Sequence, residues 1–234
     1  MKILGVDSSA TAASAAIISD GKLLAVQFTN TGLTHSQTLM TLIDNAFKLA
    51  KLTPADIDSF AVSYGPGSFT GVRIGVAAVK GLAQPLGKKC FGVSTLEVIA
   101  KPLECSEVYA VAAMDARCNQ VYTAQFDCKN GKMTRVTPDS AITLDELLYQ
   151  LKSVDKPIVL IGDGAELCYK RFKDELQNIS LAPAGVRYQS AASVALCAFE
   201  ADESKFISAD ELLPSYLRVS QAERELKNKK QSEN

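Results

Sequence analysis

The sequence predicts an α/β fold made of two related lobes, each a mixed sheet flanked by helices. Three observations carry this. A short apolar strand ending in aspartate occurs twice, at residues 2–6 before Asp7 and at residues 108–114 before Asp115. Each is followed by a hairpin pattern with a tight turn, Asp20-Gly21 in the first half and Asn130-Gly131 in the second. Each half then runs through a helix, another strand and a glycine-bearing loop that opens a further helix. The repeat is one of topology, not of a short solenoid period.

The first half begins with the strand 2–6, a small polar loop (Ser8, Ser9, Ala10, Thr11), and strands at 13–19 and 22–28. A helix is expected from Thr34. Thr34 and Gln37 have capping-box spacing, and Leu39, Leu42, Ile43, Ala46 and Ala50 recur with helical period until Pro54 ends the pattern. A strand at 57–63 leads into Tyr64-Gly65-Pro66-Gly67-Ser68-Phe69-Thr70 and a helix over 71–86. A short helix follows at 95–100. The second half repeats the plan, with a strand at 108–114, the loop Ala116 to Asn119, and a strand at 120–127. A strand lies around Met133, a helix at 144–151 and a buried strand at 158–161. Gly162-Asp163-Gly164 opens a helix at 165–172, and an apolar helix covers 191–199. The boundary falls near Pro102. The division is therefore 1–101 for an N-terminal lobe, 102–212 for a C-terminal lobe, and 213–234 for a C-terminal segment and tail. Residues 221–234, rich in Lys, Glu, Gln and Asn, are expected to fray.

Composition narrows the function. The chain has 234 residues, 25 Lys+Arg against 26 Asp+Glu, so no global positive field draws it to nucleic acid. The single histidine, His35, excludes a zinc site built from several imidazoles. Cys90, Cys105, Cys118, Cys128, Cys168 and Cys197 show no C-x-x-C spacing. They are expected to be free, largely buried thiols of a reducing compartment. Asp7 interrupts the N-terminus too early for a signal peptide, and no apolar run approaches membrane-spanning length. The expectation is a soluble, cytoplasmic protein that binds no metal.

Four features are candidate sites, each with a plainer alternative. Asp7-Ser8-Ser9 can form an anion-facing nest or simply make the turn. Gly65, Gly67 and Ser68, with Arg73 just beyond, can cradle an anion at a helix N-terminus or serve as a structural elbow. The spacing is not that of a Walker A loop, and no Lys-Ser/Thr pair follows. Asp115-Ala116-Arg117 reads as a buried ion pair, with a substrate clamp as the alternative. The helices near 34–51 and 71–86 are apolar on more than one side. Val72, Val76, Val79, Ala83 and Leu86 form one stripe, and Ile74, Ala78 and Leu82 another. Met40, Phe47 and Leu49 lie outside the main stripe of the earlier helix. If the two helices pair, their outer surface is an apolar patch large enough for a protein partner, unless the chain itself covers it. His35 opens a helix beside Ser36 and suits a capping or interface role better than catalysis.

Taken together, several motifs closely resemble those of the TsaB (YeaZ) family. They are Ile3 to Ser9, His35-Ser36, Ser63 to Gly75, Asp115-Ala116-Arg117, Gly162 to Ala165 and Tyr216-Leu217-Arg218. The resemblance runs from residue 3 to about residue 224, and Gly65-Pro66-Gly67-Ser68-Phe69-Thr70-Gly71 is its most specific part. It implies a duplicated actin/Hsp70-like (ASKHA, ribonuclease H-like) fold and a role in bacterial tRNA modification. There, a threonylcarbamoyl group passes from threonylcarbamoyl-AMP to N6 of the adenosine 3′ to the anticodon, in tRNAs reading codons that begin with adenine. The family works with TsaD, its catalytic paralogue, and TsaE, an ATPase.

The resemblance also implies a non-catalytic scaffold and activator. TsaD carries paired metal-binding histidines, whereas here Leu39 stands one turn after His35. The implied partner surface is the pair of N-lobe helices: His35, Leu39, Met40, Ile43, Phe47, Val72, Gly75, Val76, Val79 and Leu82. It would bind TsaD, or a second copy when TsaD is absent. No cofactor is intrinsic to the chain; ATP or ADP would sit at the complex interface, and tRNA would be reached through the complex. The rival readings are an ATP-dependent small-molecule kinase of the same fold class and a peptidase.

Overall fold

A computed structural model describes residues 1–218. The first half gives β1 (Lys2–Asp7), β2 (Ala13–Ser19), β3 (Lys22–Thr29), α1 (His35–Ala50), β4 (Ser59–Gly65), α2 (Phe69–Ala83), β5 (Lys89–Ser94) and α3 (Thr95–Ala100). The second gives β6 (Val108–Asp115), β7 (Gln120–Lys129), β8 (Lys132–Arg135), β9 (Ser140–Thr143), α4 (Leu144–Leu151), β10 (Ile158–Ile161), α5 (Ala165–Phe172), β11 (Ile179–Leu181) and α6 (Ala191–Phe199). Strands β5, β9 and β11 are additions to the sequence reading. The expected fraying of residues 221–234 lies outside the described residues.

The duplication is visible in the sheets. The first has the order β3-β2-β1-β4-β5 and the second β11-β10-β6-β7-β8, with β9 paired to β7. In the first, β1 and β2 are antiparallel while β1, β4 and β5 run parallel. In the second, β6 and β7 are antiparallel while β6, β10 and β11 run parallel. Both hairpin turns form as predicted. Asp20 and Gly21, and Asn130 and Gly131, all have positive φ, as a tight twisted hairpin demands.

Layering follows from burial on both faces of each sheet. The outer face of the first sheet packs on α1 and α2, through Leu4, Val6, Ile17, Phe60 and Val62 against Leu39, Ile43, Phe47, Val72, Val76 and Val79. The outer face of the second packs on α4 and α5 through Val111, Ala113 and Leu160 against Leu147, Leu151, Cys168 and Phe172. Between the sheets lie α3 and α6. Leu96 and Ile99 of α3 pack on β6 and β7 of the second sheet, whereas Val194, Ala195 and Ala198 of α6 pack on Ile3, Ile18 and Ala61 of the first. Gly5 makes room for this: a Cβ there would sit 2.4 Å from the Ala191 carbonyl oxygen. Ser14 Oγ accepts the Ala191 N–H at 2.9 Å. Val98 of α3 packs with Ile3, Ala61 and Phe91, so α3 touches both sheets while α6 crosses from the second half to the first sheet.

Two local expectations change. The Thr34–Gln37 capping box does not form, because the Gln37 N–H donates to the Thr34 main-chain carbonyl at 3.0 Å instead of to its hydroxyl. A full box occurs at Thr143, whose N–H and hydroxyl donate to Glu146 at 2.8 and 2.9 Å while Glu146 N–H returns to Thr143 Oγ1 at 3.2 Å. Helix α2 starts at Phe69, capped by Ser68, and its end tightens into a 3₁₀ turn at Gln84–Leu86.

All six cysteines are free; Cys90, Cys128, Cys168 and Cys197 are buried and Cys105 and Cys118 exposed. Among the described residues no helix is long and apolar enough to cross a membrane.

Candidate functional site

A cleft of about 760 Å³ opens between the lobes, lined by the β1–β2 and β4–α2 loops, the β6–β7 hairpin, Asp163 and residues 215–218. Asp7 ends β1, two residues before the cleft-lining Ser9, and is wholly buried. Its Oδ1 accepts the Ser9 N–H at 3.1 Å and the Ser9 hydroxyl at 3.0 Å. Burial still pushes the carboxyl up to about 6, because these bonds only partly offset the loss of water.

The loop beyond Asp7 is seated on the start of α2. Ser8 Oγ donates to the Gly71 carbonyl at 2.8 Å, and Ser68 N–H donates to the Ser9 carbonyl at 2.7 Å. Ser68 Oγ in turn accepts the Gly71 N–H at 3.2 Å. Glycine is required by contact here. A Cβ at Gly67 would lie 2.2 Å from the Ser9 carbonyl oxygen, and at Gly71 2.2 Å from that of Ser8. At Gly75 it would lie 2.6 Å from Ser8 Oγ. Gly65, at φ +126°, presses on the Ser215 carbonyl oxygen, where a Cβ would come to 2.2 Å. These contacts are those of the elbow reading of Asp7, Ser8, Ser9, Gly65, Gly67 and Ser68, and Ser9, Gly67 and Ser68 also line the cleft. The groups that would face a phosphate hold two loops and the C-terminal segment together. Arg73 is engaged by the C-terminal segment and its own helix: its Nε donates to Tyr216 Oη at 2.8 Å and its guanidinium lies 3.9 Å from the Phe69 ring centroid.

The far wall carries Asp115, Arg117 and Asp163. The expected Asp115–Arg117 ion pair is absent. Asp115 Oδ1 accepts the Arg117 main-chain N–H at 2.7 Å, which turns the hairpin, and both side chains are exposed. Asp163 Oδ1 is buried without a partner among the described residues, and burial pushes this carboxyl up to about 6.

The expected partner residues divide. Leu39, Ile43, Phe47, Val72, Val76 and Val79 turn inward, and each is nearly inaccessible. Gly75 is covered by Ser8. These residues support the helices from beneath and offer no surface. His35 is half-buried, its Nε2 2.6 Å from the Ala10 carbonyl oxygen, so it steadies the β1–β2 loop. Met40 is 51% exposed, and Leu82 is half-buried beside Ile74 and Ala78. Those four form the outer apolar face. Leu82 and Met40 were legible in advance; Ile74 and Ala78 had been seen only as a second stripe.

Two mixed sheets of the same strand order, with α3 and α6 between them and a cleft between the lobes, define a two-lobed protein of the actin/Hsp70-like class. Comparisons agree. A Pseudomonas aeruginosa structure described as YeaZ superposes with TM-score 0.76 at 23% identity, covering 92% of this chain and all of that one. A second from the same organism, described as similar to peptidase YEAZ, gives 0.77 at 23% identity over 93% and 99%. The TsaD family profile, tRNA N6-adenosine threonylcarbamoyltransferase, matches residues 29–226. A Bacillus subtilis protein named tRNA threonylcarbamoyladenosine biosynthesis protein TsaB is 30% identical over 95% of this chain and 96% of its own. An Escherichia coli protein of the same name is 29% identical over 70% and 72%. The chain belongs to the TsaB branch of this family and takes part in tRNA threonylcarbamoyladenosine biosynthesis.

Proposed function

We propose that the chain is a non-catalytic activator that docks the outer face of α1 and α2 on a TsaD-type transferase. The observation that carries this is the closed loop at the base of the cleft. Phosphate binding needs main-chain N–H groups free to turn toward the anion. Here the Ser9 N–H is held by Asp7, the Ser68 N–H by the Ser9 carbonyl, and the Gly71 N–H by the Ser68 hydroxyl. This counts against the kinase reading. Against the peptidase reading stands His35, which faces a carbonyl, while Ser36 Oγ donates to Thr34 Oγ1 at 3.5 Å.

Nucleotide, in this reading, sits at the interface with TsaD and not in the chain's own cleft. TsaE joins the pair, tRNA is reached through the complex, and two copies of this chain use the same face when TsaD is absent. The reading puts the chain in the cytoplasm, where tRNA is modified. The test is tRNA threonylcarbamoylation by purified TsaD, TsaE and the adenylate-forming enzyme, with and without this protein. Activity should appear only on its addition and never with it alone. Full activity without it, or activity from it alone, would break the reading.

A further inference from the structure

The motif Tyr216-Leu217-Arg218 lies outside α1 and α2 and touches both lobes. After α6 the chain returns to the first lobe. Ile207 pairs with Cys90 at the edge of β5, and Lys80 Nζ donates to the Asp210 and Leu212 carbonyls at 3.2 and 3.1 Å. Ser215 N–H then donates to the Tyr64 carbonyl at 2.7 Å, with the Ser215 carbonyl lodged against Gly65. The Tyr216 ring stacks on Phe69 at 4.5 Å between centroids, while its hydroxyl accepts from Arg73. Two residues later Arg218 Nη1 reaches across and donates to the Ala116 carbonyl at 2.9 Å. Ala116 belongs to the β6–β7 hairpin of the second lobe, where Arg117, Cys118 and Asn119 all hold positive φ.

We propose that residues 215–218 are a strap that fixes the separation of the two lobes and closes one side of the cleft. The anchoring is asymmetric. A main-chain bond, an aromatic stack and a phenol fasten the strap to the first lobe, whereas among the described residues one guanidinium–carbonyl bond holds it to the second. That bond is half-exposed and water competes for it. It is the element that lets go when the lobes part. Release of Arg218 opens the cleft, and the lobes of the free chain keep one spacing while it holds.

The test measures the spacing between lobes in the full chain. Spin labels go on cysteines introduced at exposed Lys22 and Tyr149, with Cys105→Ser and Cys118→Ser removing the exposed thiols. The four remaining thiols are buried and pushed up to about 11 or 12, so they stay unlabelled. Labelled chain is diluted with unlabelled chain so that only distances within one copy are read. The parent should give one narrow distance. Arg218→Ala and Tyr216→Ala should each broaden it toward longer values. They should also speed amide exchange in the 116–120 turn about tenfold, the equivalent of one charge-assisted hydrogen bond. Leu217→Ala, which removes no strap contact identified above, should match the parent. Arg218→Ala alters no buried side chain, and its melting curve checks that it folds. A distance as narrow as the parent's in both Arg218→Ala and Tyr216→Ala, with turn exchange unchanged, would overturn the strap.

Discussion

Replacing Asp7 by asparagine should make the protein more stable at neutral pH. Asp7 is wholly buried, and hydrogen bonds from Ser63 and Ser9, with a smaller contribution from His35, only partly offset that burial. Its carboxyl rises from 3.8 to about 6, first because of burial. A raised acid pKa means that the folded state holds the proton more tightly than the unfolded chain does. Between those two values the native state binds more protons, so stability falls as pH rises through the window. The shift is about 2 units, each worth about 1.4 kcal/mol, so the ionised Asp7 costs about 3 kcal/mol above the window. Asparagine keeps an oxygen for the Ser9 N–H and hydroxyl and removes the charge. The assay is urea unfolding followed by far-UV circular dichroism, because the chain has no tryptophan. At about pH 7.5 Asp7→Asn should exceed the parent by up to about 3 kcal/mol, and near pH 4 the gap should close. Asp163 shifts the same way and for the same leading cause, so the variant keeps a shallower slope of the same sign. An asparagine variant less stable than the parent at neutral pH, or one with the parent's full slope, would refute the account of Asp7.

The other predictions separate core from surface. Val76→Asp buries a charge among Leu39, Ile43 and Val79, and should cost about 4 kcal/mol or more and abolish the cooperative melt. Ala78→Asp, on the half-buried outer face, should melt near the parent and fail to activate TsaD in the reconstituted reaction; normal activation by a folded Ala78→Asp would remove this face from the interface. Gly67→Ala drives a Cβ onto the Ser9 carbonyl and should cost about 1–3 kcal/mol by chemical unfolding. Gly81→Ala, inside α2 with nothing within 4 Å of the added Cβ, should instead stabilise by about 1 kcal/mol.

Much of this was readable before the fold was known, and the failures have physical causes. The hairpin turns were legible because Asp-Gly and Asn-Gly encode positive φ locally. The inward stripe of α1 and α2 was legible from period alone. What period cannot say is which of two apolar stripes meets its own sheet, and so Val76 and Leu39, expected on an outward face, are buried against the sheet. The three missed strands are short or broken in pattern. Gly92 interrupts β5, β11 spans only Ile179–Leu181, and β9 begins at Ser140 and ends at Thr143. Their pairing comes from neighbours far along the chain. The glycine loop was legible as special, but its purpose was not. Three of the contacts that demand glycine are with Ser8 and Ser9, more than fifty residues away, and one is with Ser215, some 150 residues on. The crossing of α6 to the first sheet left no local signal either, beyond the lack of charge along α6.

That arrangement bears on why one face would bind a partner. With α3 and α6 filling the space between the sheets, only two helical layers remain outermost. The α4/α5 layer is rich in paired charge: Arg171 bonds Asp145 and Glu175, Lys152 meets Glu175, and Arg187 reaches Glu166. Such a surface is already satisfied by itself, and covering it would strand charges from water. On α2 the charges are committed elsewhere, Arg73 to Tyr216 and Lys80 to the carbonyls of Asp210 and Leu212. The C-terminal segment thus draws the charged groups of α2 to one side and leaves Met40, Ile74, Ala78 and Leu82 to face outward. Charge depletion at the centre of an apolar patch is what distinguishes the core of a protein interface from ordinary surface. The segment proposed to strap the lobes would therefore also clear the proposed docking face. Loosening it at Tyr216 should weaken partner binding as well as widen the cleft, while loosening it at Arg218 should widen the cleft alone.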